Sequence, residues 1–232
     1  MTLDNLGIQR TGTFIDTASR QLHYPYIIEI KGIKIALFNY TYGTNGLAVS
    51  KPNVVNMIDI NQIREDFKLA KEKGANFFIP VMHWGTEYNT SENSDQQRIA
   101  TFLADEGASA IIGMHPHVVQ PIKSIKQKNS VNSIPVAYSL GNFISNQRDI
   151  NRDGGILVKL EITQKNGIPE LESKQYLPFW VWRVLSDETY VNIKKGYYPI
   201  TERQIELLNI SDSVSASRFF KNVRQLLSES TE

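Results

Sequence analysis

Apolar positions recur at helical spacing over residues 59–73 and about 94–106, and each stretch ends at a glycine. This spacing predicts two amphipathic helices. Compact apolar runs at 33–40, 76–82 and 109–112 predict buried strands before, between and after them. The resulting strand–helix–strand–helix–strand order indicates a parallel sheet in an α/β fold.

Other segments predict antiparallel pairing. The run 24–30 precedes Lys31-Gly32 and predicts a hairpin with 33–40, whose greater apolar content indicates deeper burial. Later strands are expected at Ile122–Ile125, Ile134–Leu140, Gly155–Ile162 and Leu171–Phe179. The stretch 201–229 is polar and helical, with apolar positions at Ile205, Leu208, Phe219, Phe220, Val223 and Leu226.

Composition narrows the function classes. Lys and Arg number 25 against 24 Asp and Glu, so the net charge of +1 argues against a nucleic-acid partner. The absence of cysteine excludes disulfides and cysteine-ligated metal sites. No apolar stretch approaches the roughly 20 residues of a membrane span, and the first residues lack the pattern of a signal peptide.

Three of the four histidines fall at predicted strand ends, and these are the candidate metal ligands. His83 ends the run 76–82, and His115 and His117 follow 109–112. The carboxyl ends of parallel strands line the functional crevice of an open α/β sheet, so the three imidazoles are expected to converge there. Pro116 favours an extended backbone at His115, which would point both side chains the same way, roughly 6–7 Å apart. A polar turn is the alternative for an isolated His-x-His.

Glu87 and Asn142 are the other candidate site residues. Glu87, in His-Trp-Gly-Thr-Glu (83–87), is open to three functional roles: metal ligand, acceptor that orients an imidazole, or base. The alternative is a carboxylate of a surface loop. Asn142 offers an amide to a substrate or to the histidine loop, or belongs to a simple hairpin turn. His23 is expected at the surface. No phosphate-binding loop, dinucleotide fingerprint or serine-hydrolase elbow is present.

Together the motifs resemble the CapA family, the bacterial capsule and poly-γ-glutamate synthesis proteins related to calcineurin-like metallophosphoesterases. The resemblance runs from about residue 1 to about 200, and rests on four segments: His-Trp-Gly-Thr-Glu-Tyr (83–88), the helix 97–107, Ile-Ile-Gly-Met-His-Pro-His-Val-Val-Gln-Pro (111–121) and Tyr-Ser-Leu-Gly-Asn-Phe (138–143). It implies a domain over 1–200 with a four-layered α/β sandwich, followed by a short helical extension over 201–232.

The resemblance also implies a two-metal site that holds Zn, Mn or Fe. By position, His83 and His115 would bind one ion and His117 the other, whereas no catalytic residue is assigned. The family's opening segments, Gly-Asp, Asn-Leu-Glu and Asn-Asn-His, are absent from this sequence. We therefore expect a chain that lacks the N-terminal third of its family, an expectation also suggested by the helix-tail pattern of Leu3, Leu6 and Gly7 at the start.

The missing segments change the expected chemistry. Three neutral imidazoles do not offset the repulsion between two cations, so one Zn²⁺ in a three-histidine site is expected here. The loss of the first strands would expose a sheet edge and favour pairing with another copy.

Three functions follow as hypotheses. The leading one is a metal-dependent hydrolase of the extracytoplasmic cell envelope, in which metal-activated water attacks a phosphoester, with weak or no activity in this chain alone. The second is a non-enzymatic scaffold or export component for an anionic envelope polymer, together with membrane synthase subunits. The third is a mononuclear three-histidine zinc hydrolase.

Overall fold

The structure, a computed structural model, describes residues 2–128, 132–185 and 194–228. The α-helices are α1 (Thr2–Asn5), α2 (Thr17–His23), α3 (Ile60–Glu72), α4 (Ser94–Glu106) and α5 (Ile210–Ser228), with a 3₁₀ helix over Glu202–Leu207. The strands are β1 (Thr13–Phe14), β2 (Tyr26–Ile30), β3 (Ile33–Thr41), β4 (Val54–Val55), β5 (Phe77–His83), β6 (Ile111–Met114), β7 (Ile122–Lys126), β8 (Ser133–Ala137), β9 (Gly154–Lys165), β10 (Ile168–Val184) and β11 (Gly196–Ile200).

A six-stranded mixed sheet with the order β2-β3-β5-β6-β8-β7 forms the centre of the fold. Strands β3, β5, β6 and β8 pair in parallel, and β2 and β7 add to the two edges in antiparallel fashion. The predicted hairpin and the predicted parallel order are therefore confirmed. Pairing with another copy through an exposed sheet edge stays a prediction.

Helices α3 and α4 cover one face of this sheet. Alternate residues of β3, namely Ala36, Phe38 and Tyr40, point into this core, as the two-residue period of a strand requires. Phe38 stacks on Phe67 of α3 with 4.4 Å between ring centroids. The predicted bounds of both helices hold because local signals set them: an asparagine capping box starts α4, and left-handed Gly107 ends it.

A three-stranded antiparallel sheet, β11-β10-β9, lies against the opposite face. Ile33 and Ile35 of β3 and Phe77 of β5 are buried there, and Ile162 and Leu171 of the smaller sheet pack against them. The residues of β3 that alternate with Ala36, Phe38 and Tyr40 thus lie on the second face of the large sheet, which the smaller sheet covers. The fold is an α/β sandwich, as predicted.

Helix α5 packs on the smaller sheet through an aromatic core. Phe219, Phe220 and Val223 are buried together with Trp180 and Trp182 of β10. The helical pattern over 201–229 is confirmed as far as Ser228, and residues 229–232 lie outside the described residues. The division into a domain over 1–200 and an extension over 201–232 stays a prediction.

Several local features differ from the sequence-based expectation. The strand before the paired histidines is Ile111–Met114 rather than 109–112, so it reaches directly to His115. Helix α2 and strand β11 were not predicted, because both are short and lack a clear apolar period. Exposed His23 ends α2, at the surface as expected.

None of the helices in the described ranges combines the length and apolarity that crossing a bilayer requires.

A buried carboxylate ties α2, α3 and β3 together. Asp66 of α3 is 2% exposed and accepts hydrogen bonds from Arg20 Nη2 (2.7 Å), Tyr40 Oη (2.8 Å) and Gln62 Nε2 (3.1 Å). Arg20 also donates through Nε to Asn56 Oδ1 at 2.7 Å. Because Arg20, Tyr40 and Gln62 all donate to this carboxylate, its removal would leave a guanidinium N–H and a hydroxyl without this acceptor.

We expect Asp66→Ala to lower the free energy of unfolding by about 3 kcal/mol, since removal of one partner from a buried pair leaves an uncompensated charge. Urea unfolding followed by circular dichroism measures this change. Glu170→Ala, which removes the carboxylate of an exposed pair with Lys165, serves as the control and should change stability by less than about 0.5 kcal/mol. Equal effects of the two substitutions would contradict the structural role of Asp66.

Candidate metal centre

The parallel register places His83 beside the ends of its two neighbouring strands. It pairs with Thr41 of β3 on one side and with Met114 of β6 on the other. Thr41 Oγ1 donates to the carbonyl of Gly43 at 2.8 Å, so the same oxygen accepts the proton of His83 Nδ1 at 2.9 Å. This contact fixes the tautomer of His83 and leaves the lone pair of Nε2 available to a ligand.

His115 and His117 converge with His83, but not through the extended backbone predicted for them. Their φ angles are +105° and +61°, both outside the extended region, so that prediction is wrong. The ring centroids of His83 and His115 are 4.5 Å apart, and those of His115 and His117 are 6.1 Å apart. A tight loop, held by a 2.7 Å hydrogen bond from the Tyr88 N–H to the Pro116 carbonyl, aims the two imidazoles.

Close packing at Gly113 holds this loop against its neighbours. A Cβ atom there would lie 2.0 Å from the Tyr138 carbonyl oxygen and 2.5 Å from Trp84 Nε1. The same indole nitrogen donates to the Tyr138 carbonyl at 2.9 Å, and Trp84 is 1% exposed. Trp84 therefore packs beneath the site, and only glycine fits between it and the next strand.

Glu87 brings a negative charge to the histidines. One ligand atom each from Glu87, His115 and His117 lies within 4.8 Å of the other two. Glu87 Oε1 lies 4.0 Å from His117 Nε2, and its side chain is about half exposed. This group includes the carboxylate and omits His83, whereas the set predicted from the sequence was His83, His115 and His117.

Asn142 orients the imidazole of His117. Its Nδ2 donates to the carbonyls of Arg152 (2.8 Å) and His117 (3.3 Å), so its Oδ1 faces His117 Nδ1 at 2.9 Å and accepts the proton there. His117 Nε2 is then the deprotonated nitrogen, on the same side as Glu87. An amide acceptor in this position fixes the tautomer of the His117 imidazole.

Two buried glutamines connect the loops that carry these residues. Gln96 Nε2 donates to Gln120 Oε1 at 2.8 Å, and Gln120 Nε2 donates to the carbonyls of Asn89 (2.8 Å) and Ser91 (2.9 Å). The loop of Glu87 and the loop of the paired histidines are thus joined through hydrogen bonds that are shielded from water. This network was not predicted, because a glutamine pair leaves no periodic signal.

The electrostatics favour neutral imidazoles. Burial lowers the pKa of His83, and the neighbouring His117 lowers it further, while the carboxylate of Glu87 acts in the opposite direction. Burial likewise lowers the pKa of His115, and His83 adds to the shift. Neutral imidazole is the form that binds metals, and the lowered pKa values of His83 and His115 favour that form for these two residues.

The donor set fits one divalent ion. Two imidazole nitrogens and one carboxylate oxygen are ligands that Zn²⁺ accepts in sites with an open position. The carboxylate also supplies the anionic charge that three imidazoles lack. His83 Nε2, kept free by the contact with Thr41, offers a further nitrogen at the edge of the group.

Three residues around the cluster were not identified from the sequence. The ring of Tyr42 lies 4.6 Å from that of His115, and the ring of Tyr88 lies 5.9 Å from that of His117. The guanidinium of Arg152 lies 3.5 Å from the centroid of Tyr88. The position of Tyr88 directly after Glu87 was a usable signal, whereas Arg152 is far from the histidines in the sequence.

The chain is similar to known bacterial proteins. The profile of the family described as "Bacterial capsule synthesis protein PGA_cap" matches residues 1–147. The chain is 28% identical to the PGA biosynthesis protein CapA of Bacillus subtilis (strain 168) over 169 residues. This alignment covers 72% of this chain and 42% of that protein. It is 30% identical to the capsule biosynthesis protein CapA of Bacillus anthracis over 124 residues, an alignment that covers 51% of this chain and 28% of that protein. The chain spans less than half the length of these curated relatives.

Two solved structures align with this chain at low sequence identity. Haemophilus influenzae NAD nucleotidase (NadN) aligns with a TM-score of 0.46 at 16% identity, and the alignment covers 93% of this chain and 40% of that one. The calcineurin-like phosphoesterase YfkN of Bacillus subtilis aligns with a TM-score of 0.37 at 15% identity, and the alignment covers 63% of this chain and 44% of that one.

We expect Asn142→Ala to weaken binding of Zn²⁺ by about 10- to 100-fold, because His117 loses the acceptor that fixes its tautomer. Calorimetric titration with Zn²⁺ measures the affinity, and circular dichroism verifies folding. His117→Ala should remove measurable binding. His23→Ala, which replaces the histidine outside the cluster, should leave it unchanged. Unaltered affinity in a folded Asn142→Ala protein would refute this role.

Proposed function

Because this chain belongs to the bacterial capsule synthesis protein PGA_cap family, we propose that its histidine cluster binds a divalent metal ion and hydrolyses a phosphoester during synthesis of an envelope polymer. The CapA resemblance is confirmed by the family match and by both relatives. The names of the relatives connect them with capsule or PGA biosynthesis. We extend that role to this chain, and with it a place of action at the cell envelope and an anionic polymer as partner.

One observation carries the metal-dependent part of the proposal. Glu87, His115 and His117 come from two loops at the carboxyl edge of the parallel sheet, yet their ligand atoms gather within 4.8 Å. Structural positions of this kind, at the ends of parallel strands, are where α/β proteins place their functional groups. Exposed acidic residues alone would not bring two oriented imidazoles to the same point.

The roles of the residues follow from their hydrogen bonds. His117 would bind the ion through Nε2, because Nδ1 is held by Asn142, and His115 and Glu87 would complete a three-residue site. His83 would approach through Nε2, because Nδ1 is held by Thr41. Held by these residues, a divalent ion would supply the Lewis acidity that polarises a phosphoryl oxygen and activates water. The exposed side of Glu87 leaves the cluster open to substrate.

This proposal favours a single ion bound by residues of this chain. Glu87 is the carboxylate that the described ranges bring to the histidines, and one carboxylate offsets little of the repulsion between two divalent ions. Zn²⁺, Mn²⁺ and Fe²⁺ all accept this mixture of nitrogen and oxygen ligands. The complete two-ion centre implied by the CapA resemblance would require further acidic ligands.

We expect the chain loaded with Mn²⁺ or Zn²⁺ to hydrolyse p-nitrophenyl phosphate or its bis ester slowly, as the weak activity expected of this chain alone requires, and His115→Ala to lower that kcat/KM by about 100-fold or more through loss of the ion. Release of p-nitrophenol measures turnover, and elemental analysis of the same samples measures the metal content. His23→Ala is the matched control. If the chain binds metal and hydrolyses neither ester, the catalytic proposal fails and a scaffold role in polymer assembly is favoured.

A further inference from the structure

The row of imidazoles continues into tyrosine rings on both sides. Tyr42 flanks His115 with 4.6 Å between ring centroids, and Tyr88 flanks His117 with 5.9 Å. Both tyrosines lie at the opening, with 48% of Tyr42 and 41% of Tyr88 exposed. The cluster is therefore the middle of a longer surface whose two ends face solvent.

Arg152 extends this surface beyond Tyr88 and is fixed to the cluster by its main chain. Its guanidinium carbon lies 3.5 Å from the ring centroid of Tyr88, a close cation–π contact. Its carbonyl accepts a 2.8 Å hydrogen bond from Asn142, the residue that also holds His117. Because this anchor belongs to the backbone, the side chain can be changed without removing the support of His117.

The guanidinium keeps most of its binding capacity. Arginine carries five N–H donors, and within the described ranges the side chain of Arg152 donates only to Asp149, at 2.9 Å. The Asp149 side chain is 71% exposed, and surface pairs of this kind contribute little, so a ligand can compete for or share the guanidinium. Stacking on Tyr88 holds the flat group in place and lowers the entropy lost on binding.

We propose that Arg152, oriented by Tyr88, is a subsite for a second anionic group of the substrate, a carboxylate or a phosphate, while the first phosphoryl group lies at the metal cluster. This inference rests on the proposed function and names the class of substrate: an ester that carries a further negative charge beside the reacting phosphorus. A planar guanidinium matches either anion with two parallel hydrogen bonds. An anionic envelope polymer, or a precursor of one, presents such groups.

The subsite can be tested by binding alone, without turnover. We expect the metal-loaded chain to bind 4-carboxyphenylphosphonate or 1,4-phenylenediphosphonate about tenfold more tightly than phenylphosphonate, because a hydrogen-bonded ion pair is added. Calorimetry measures the three affinities, and comparison of the first two probes distinguishes carboxylate from phosphate. Arg152→Ala should abolish the preference while the affinity for phenylphosphonate changes less than twofold. Arg152→Lys keeps the positive charge but loses the planar guanidinium that makes two parallel hydrogen bonds, so it should retain part of the preference.

Arg98→Ala provides the matched control. Arg98 forms the same kind of exposed pair with an aspartate three residues away, Asp95, but lies on α4 outside the cluster, so its replacement should preserve the preference. A wild-type chain without preference for either dianion, or a preference that survives Arg152→Ala, would overturn the subsite. If the preference is present but no ester is hydrolysed, the subsite stands and the proposed hydrolysis fails.

Discussion

The register between the parallel strands β3, β5 and β6 is the constraint on which the histidine cluster depends. It aligns Thr41, His83 and Met114 across three neighbouring strands, so the side chain of His83 lies at the same edge of the sheet from which His115 emerges. A slip of one residue would turn His83 to the opposite face of the sheet. The aromatic packing of α3 on β3 and the aliphatic packing of the smaller sheet on the other face both stabilise this register.

The loops above the sheet owe their shape to contacts with each other rather than to their own sequences. The positive φ angles of His115 and His117 are unfavourable for these residues, and the hydrogen bond from Tyr88 to Pro116 and the packing of Gly113 on Tyr138 compensate for them. The glutamine pair shields a further connection from water. Local strain of this kind commonly accompanies functional sites, and here it brings two imidazoles and a carboxylate together.

The sequence is most informative where local rules decide the structure. Helices α3 and α4 could be placed to within about a residue, because apolar spacing, capping side chains and closing glycines act within the segment itself. The convergence of the three histidines followed from strand order. Their backbone geometry did not, because Pro116 disfavours only one conformation, and the contact that selects another comes from the loop of Tyr88. Arg152 was missed for the same reason: its approach to Tyr88 depends on the path of a distant loop.

Asn142 has a consequence that extends beyond the orientation of one ring. Its side chain holds His117, and its backbone N–H donates to the carbonyl of Gly154 at the start of β9. Its side chain also donates to the carbonyl of Arg152, and the preceding residue, Asn151, accepts a 2.8 Å hydrogen bond from Asn222 of α5. An ion bound at His117, as proposed above, would therefore stabilise the arrangement of the C-terminal half through thermodynamic linkage, and disorder in that half would weaken binding of the ion in return. Metal availability would then control the lifetime of the folded protein against proteases as well as its chemistry.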